Sequence, residues 1–149
     1  KYKPKIILAG RKLNDNMSKW VFQNINSILK TKKKSLNINA LVLGLTFKEN
    51  CPDIRNTGVF SIAKKAIEYG LNIDIVDPYA IPEEASRLYD IEIKKDFIKD
   101  KKYSAVIVAV QHDIFKNMDL LGWKKLLHEN YLIFDLKGIV SRDLRVIRP

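Results

Sequence analysis

The stretch that most constrains this chain runs from Leu41 to Thr57: an apolar run, Leu41-Val42-Leu43, then Gly44, then a charged loop through Thr46-Phe47-Lys48-Glu49-Asn50-Cys51-Pro52-Asp53-Ile54-Arg55, closing on Asn56-Thr57. Asn and Thr are helix-capping residues, and an amphipathic segment follows them. Strand, loop and helix in that order open an α/β sheet, and open α/β sheets bind ligands outside the carboxyl ends of their strands. Lys48 and Arg55 stand on either side of Pro52, so an anion is the first ligand to expect.

The continuation repeats the pattern. Val59, Phe60, Ile62, Ala63, Ala66, Ile67 and Tyr69 give a helix ended by Gly70, and Ile73, Ile75 and Val76 a second strand closed by Asp77-Pro78. Strand, helix and strand within so few residues form a βαβ unit, so the two strands should be parallel. Pro82-Glu83-Glu84 opens a short helix, with acid at its positive end. Residues 89–93 read as a short edge strand and 94–102 as a polar helix or loop. The run 104–110 reads as a strand buried on both faces. A helical region follows, interrupted at Gly122, then a strand over 131–135 and a last short segment near Val146.

Upstream, Met17, Trp20, Val21, Ile25, Ile28 and Leu29 fall at helical spacing after Asn14-Asp15-Asn16, which reads as a cap. Trp20 and Phe22 are expected to pack. The fold expected is α/β: a three-layer, Rossmann-like open parallel sheet of about five strands, preceded by an N-terminal amphipathic helix. Residues 1–39 form the lead-in and 40–149 the domain. With 149 residues and 46% hydrophobic content, one domain with a real core is expected.

The net charge of +10 is unevenly spread. Residues 1–34 carry ten Lys or Arg against Asp15 alone, which leaves the rest nearly neutral. A solvated helix end is the first reading of Lys30 to Lys34; a nucleic-acid or acidic-surface module built on that basic helix is the alternative. No apolar run approaches the roughly 18 residues of a membrane span, and a soluble, cytoplasmic piece of a longer protein is expected. The single cysteine, Cys51, provides no disulfide framework, and no metal-ligand spacing is present.

Parallel strands bring Phe47-Lys48, Asp77, Gln111-His112-Asp113 and Asp135-Leu136-Lys137-Gly138 to one rim. Neither the GxGxxG nor the GxxxxGK[ST] pattern occurs in the first loop. Lys48, Lys137 and backbone N–H groups at a helix start remain able to hold phosphate. Arg55 is read first as a brace to a neighbouring carboxylate, and Asp77 as a brace or, more weakly, a ribose ligand. His112 is read as a ligand contact or a loop stabiliser, His128 as a surface residue at a helix end, and Cys51 as no nucleophile.

These residues, in this order, resemble the C-terminal domain of the UDP-glucose/GDP-mannose dehydrogenases. The resemblance rests on residues 8–17, on Gly44 to Thr57, on Asp77-Pro78 and on Phe134-Asp135-Leu136-Lys137-Gly138. The wording of residues 47–57 is most similar to the branch that oxidises UDP-N-acetylhexosamines for bacterial surface polysaccharides, capsule among them. The resemblance implies a UDP-sugar ligand and an enzyme with an N-terminal NAD-binding domain and a central dimerisation region, working as a homodimer. It oxidises the sugar C6 alcohol to carboxylate in two NAD-dependent steps through a cysteine and a lysine that lie outside this chain. The fragment alone is then expected to bind no NAD and to be inactive. By resemblance Phe47, Lys48 and Lys137 contact the UDP-sugar, and Arg55 braces its loop. Lys137 stands where the family often has Arg, which gives up a bidentate fork.

Overall fold

In the computed structural model, residues 4–31 and 38–148 are described. Five strands form one sheet: β1 (Asn39–Leu43), β2 (Asn72–Val76), β3 (Tyr103–Val108), β4 (Leu127–Asp135) and β5 (Val146–Ile147). Their order is β2-β1-β3-β4-β5, and each neighbouring pair is parallel. The helices are α1 (Lys5–Thr31), α2 (Gly58–Glu68), α3 (Pro82–Tyr89), α4 (Asp113–Lys116) and α5 (Leu120–Leu126). From β1 the chain moves outward to β2, then crosses back to β3 on the other side of β1. The order therefore reverses between β1 and β3, and their exit loops diverge around a crevice, the place where open α/β sheets bind ligands.

The sheet is buried on both faces, as its unbroken apolar strands require. On one face Ala40, Val42, Ile75, Ala105, Ile107 and Phe134 pack with Ile62 and Ala63 of α2 and with Val21 and Ile25 of α1. On the other, Leu41, Leu43, Val106, Val108 and Ile133 pack with Phe115, Trp123 and Leu126. The alternation of residues along β1 between these two clusters follows from the two-residue period of a strand.

Several local readings are corrected. The first helix starts at Lys5, where the Pro4 carbonyl accepts the Leu8 N–H at 3.0 Å, and runs for 27 residues through the Asn14-Asp15-Asn16 segment. Three poor helix formers cost at most about 0.7 kcal/mol each, too little to stop a helix whose far half is anchored by Val21, Phe22 and Ile25. Trp20 is 47% exposed, whereas Phe22 is buried against Tyr69, ring centroids 5.0 Å apart. The side chains of Met17, Ile28 and Leu29, and the whole of residues 32–37, lie outside the described residues.

Residues 90–93 form no strand: α3 runs on to Tyr89, and only Lys94 makes a single parallel bridge, to Val76. The break in the next helical region falls at Asn117-Met118-Asp119, not at Gly122, because Asp119 caps α5 by accepting the Gly122 N–H at 2.7 Å. His128 is exposed, but at the start of β4 rather than at a helix end, because β4 begins at Leu127. A register shift between Tyr103 and Ala105 of β3 absorbs that extension.

Candidate functional site

The crevice is built from the exit of β1. Leu43 O accepts the N–H groups of Ala109 and Val110 at 2.9 and 3.1 Å, which draws the end of β3 against the β1 exit. Gly44 is what permits this: its φ is +87°, and a Cβ there would run into Val110. The following loop then leaves the sheet with Thr46 buried and Phe47 58% exposed.

Asp77, at the end of β2, fixes the loop's first residues. Its side chain is wholly buried; Oδ2 accepts the Leu45 and Thr46 N–H groups at 2.7 and 2.9 Å, and Oδ1 those of Tyr79 and Ala80 at 2.9 and 3.0 Å. His112 Nε2 lies 3.1 Å from the same Oδ2 and 3.2 Å from Thr46 Oγ1. The other ring nitrogen, Nδ1, accepts the Asn50 N–H at 2.9 Å, which assigns the proton to Nε2. Burial pushes the Asp77 carboxyl up, but the bonds from His112 and from the backbone of Leu45, Thr46 and Ala80 outweigh it and hold the group well below the usual carboxylate range. With both oxygens engaged from within, Asp77 has no accessible acceptor for a ribose.

Between these anchors Phe47 and Lys48 are displayed outward. Thr46 Oγ1 donates to Lys48 O at 2.9 Å, the Phe47 N–H donates to Asp53 O at 2.8 Å, and Lys48 Nζ lies 6.0 Å from the Phe47 ring centroid. They border a cleft of about 700 Å³ together with Asn56, Thr57, Ser61 and Lys137. The three residues expected on a UDP-sugar thus line one cleft, with the first turn of α2 as its floor. Thr57 caps that helix by accepting the Val59 N–H at 3.2 Å. Two exposed cations and a helix N-terminus make this an anion site on physical grounds, and the Phe47 face supplies an apolar plate beside it.

Ser61, Tyr89 and Val110 also line the cleft and are not expected there from sequence, and Asn56, read only as a cap, joins them. Ser61 falls one helical turn beyond the cap, which is a readable signal. Tyr89 is placed by tertiary contacts alone: its ring stacks on Phe60 at 4.4 Å and its hydroxyl donates to Ile54 O at 2.7 Å.

Arg55 forms a two-pronged contact with Asp53, Nε to Oδ1 at 2.9 Å and NH2 to Oδ2 at 2.8 Å, rather than with Asp77. That side-chain bond, then the Arg55 backbone N–H, bring the Asp53 carboxyl down to about 2. At the end of β4, Asp135 repeats the arrangement at Asp77. It is buried, accepts the Lys137, Gly138 and Val140 N–H groups, and is reached by Arg148 Nε and NH2 at 3.1 Å. Lys137 is thereby placed by its neighbour. Among the described residues no group of acids, histidines and cysteine is arranged to hold a metal, and no helix is long and apolar enough to cross a membrane.

The glycine turn after β1 packs against Val110, and the acid after β2 is sealed by its own loop.

Residues 41–142 match the family model described as the UDP-glucose/GDP-mannose dehydrogenase family, UDP binding domain. The chain belongs to this family. It is 41% identical over 153 residues to a UDP-N-acetyl-D-glucosamine 6-dehydrogenase of Salmonella typhi, covering 99% of this chain and 35% of that protein. It is 39% identical over 142 residues to Protein CapL of Staphylococcus aureus, covering 94% of this chain and 33% of that protein. Among solved structures it resembles the UDP-N-acetyl-mannosamine dehydrogenase Cap5O from S. aureus, with a TM-score of 0.76 at 25% identity, over 97% of this chain and 32% of the other. The chain thus spans about a third of the length of these relatives.

Proposed function

We propose that this chain is the C-terminal, UDP-sugar-binding third of an NAD-dependent nucleotide-sugar 6-dehydrogenase, acting on a UDP-N-acetylhexosamine in the synthesis of bacterial surface polysaccharide. Residues 1–39 serve as the lead-in from the central part of the longer chain and 40–149 as the nucleotide-sugar domain. The observation that carries the reading is the convergence of Phe47, Lys48 and Lys137 on one cleft at the sheet's switch point, in a domain of the UDP-binding family.

In this reading Lys48 and Lys137 neutralise the diphosphate and the first turn of α2 adds backbone N–H groups. Phe47 covers an apolar face of the ligand and excludes water there. No acid, base or nucleophile for the oxidation is assigned to this domain; it binds and orients. NAD accepts the two hydrides as the C6 alcohol becomes a carboxylate, and it is held by another part of the chain, as are the reacting cysteine and its lysine. The enzyme works as a cytoplasmic homodimer, and the isolated domain is inactive. The test is NADH formation by the full-length protein offered UDP-hexoses and UDP-N-acetylhexosamines. Turnover with a UDP-N-acetylhexosamine is expected, and a folded, full-length protein that reduces no NAD with any of them contradicts the reading.

A further inference from the structure

The loop that carries Phe47 and Lys48 is gripped at its far end by a contact that nothing in the binding reading requires. Asn50 has φ +54°, in the left-handed region that Asn enters more readily than most side chains. Three bonds hold it there, all to the exit loop of β3. The Asn50 N–H donates to His112 Nδ1 at 2.9 Å, Asn50 Nδ2 donates to Asp113 Oδ2 at 2.8 Å, and the Asp113 N–H donates to Asn50 Oδ1 at 3.1 Å. His112 is itself held on several sides: it is wholly buried, its ring is tilted against Tyr79 at 4.9 Å and edge-on to Phe115 at 5.5 Å, and Nε2 faces Asp77 and Thr46. One imidazole therefore holds both ends of the segment Thr46 to Asn50, with Phe47 and Lys48 between them.

We infer that His112 is a positioning residue for UDP recognition: through Nδ1 it latches Asn50, and the latch sets the direction in which the exposed Lys48 is presented to the cleft. The inference rests on the proposed UDP site. A latched loop binds without paying to order itself, whereas a loop released at Asn50 must be immobilised by the ligand. The two nitrogens have separable roles. Asparagine places its amide oxygen near the position of Nδ1, and glutamine places its amide nitrogen near that of Nε2.

The test is a calorimetric titration of the full-length protein with UDP, comparing wild type, His112→Asn, His112→Gln, Asn50→Gly and Lys48→Ala. Asn50→Gly removes the side-chain bonds at an exposed position whose φ suits glycine, so it retains the fold. His112→Gln is expected to weaken UDP binding about tenfold and Asn50→Gly at least threefold, while His112→Asn stays within about threefold of wild type. A nitrogen-detected NMR spectrum should also show the Nε2–H tautomer for His112. If Lys48→Ala weakens binding but His112→Gln and Asn50→Gly do not, the latch is overturned and the site stands. Equal losses in His112→Asn and His112→Gln overturn the assignment to Nδ1. If wild-type protein binds no UDP, the site reading falls and the latch with it.

Discussion

His112 Nε2 and Asp77 Oδ2 lie 3.1 Å apart with both side chains wholly buried, joining the exits of β3 and β2 beneath the loop that leaves β1. Three strand exits that diverge at the switch point are thus held by one carboxylate and one imidazole. In a sheet of parallel strands the exit loops have no hydrogen-bond ladder of their own, so buried side chains must satisfy them.

Asp77→Ala should therefore be among the most destabilising substitutions in the domain. It leaves four N–H groups without their acceptor and removes the partner of His112; breaking such a buried arrangement costs about 3–5 kcal/mol, read as a shift in the urea midpoint. Acid should act on the same group. The folded-state pKa of Asp77 is held below the usual carboxylate range, and that of the Asp53 carboxyl is brought down from 3.8 to about 2 by Arg55. Their stabilising contribution is complete above the unfolded carboxylate value and is lost as pH falls through the folded one. Stability of the wild type should decline below about pH 4, and the Asp77→Ala variant should decline less steeply. Equal slopes would contradict the role given to Asp77.

At Gly44 the prediction concerns packing and backbone together. Alanine there must adopt a positive φ and intrude on Val110, at about 1–2 kcal/mol for the conformation and about 1–3 for the overlap. A loss of less than about 1 kcal/mol in chemical denaturation would show that β1 and β3 can separate at their exits without penalty.

Lys48→Ala should cost about 1.5–3 kcal/mol of UDP affinity, the usual worth of a charged hydrogen bond, with the unfolding midpoint unchanged because the side chain is exposed. Unchanged affinity would remove Lys48 from the site.

Lys137 invites a gain rather than a loss. Its backbone is fixed by Asp135, which accepts the Lys137 N–H at 3.2 Å and the Gly138 N–H at 2.8 Å. Arginine there would meet the diphosphate with two parallel bonds instead of a point charge. Lys137→Arg is expected to bind UDP at least as tightly as wild type, while Lys137→Ala weakens by a margin like that of Lys48→Ala. Unchanged affinity in Lys137→Ala would place Lys137 outside the site.

The sheet and its rim were legible because apolar strands, Gly44 and the Asn56-Thr57 cap are local signals whose meaning does not depend on the rest of the fold. Lys48 and Lys137 are reached as cations on the rim and Phe47 as a ligand contact by motif likeness, and their meeting on one cleft follows from the parallel topology. The latch was not legible. Asn50 in the left-handed region and His112 beneath it are 62 residues apart, and which of several rim carboxylates meets which donor is settled by register. The same limit explains the Arg148–Asp135 contact, to which no sequence pattern pointed, whereas Arg55 pairs with Asp53, the carboxylate beside it in the loop. The run of α1 through Asn14 was missed because capping residues weigh heavily in a local reading and lightly in a helix anchored elsewhere.

The most direct measurement is a crystal structure of the full-length protein grown with UDP. The diphosphate should lie in the cleft bordered by the first turn of α2, within hydrogen-bond reach of Lys48 and Lys137, with Asn50 still bonded to His112. UDP bound elsewhere, with this cleft empty, would contradict the account.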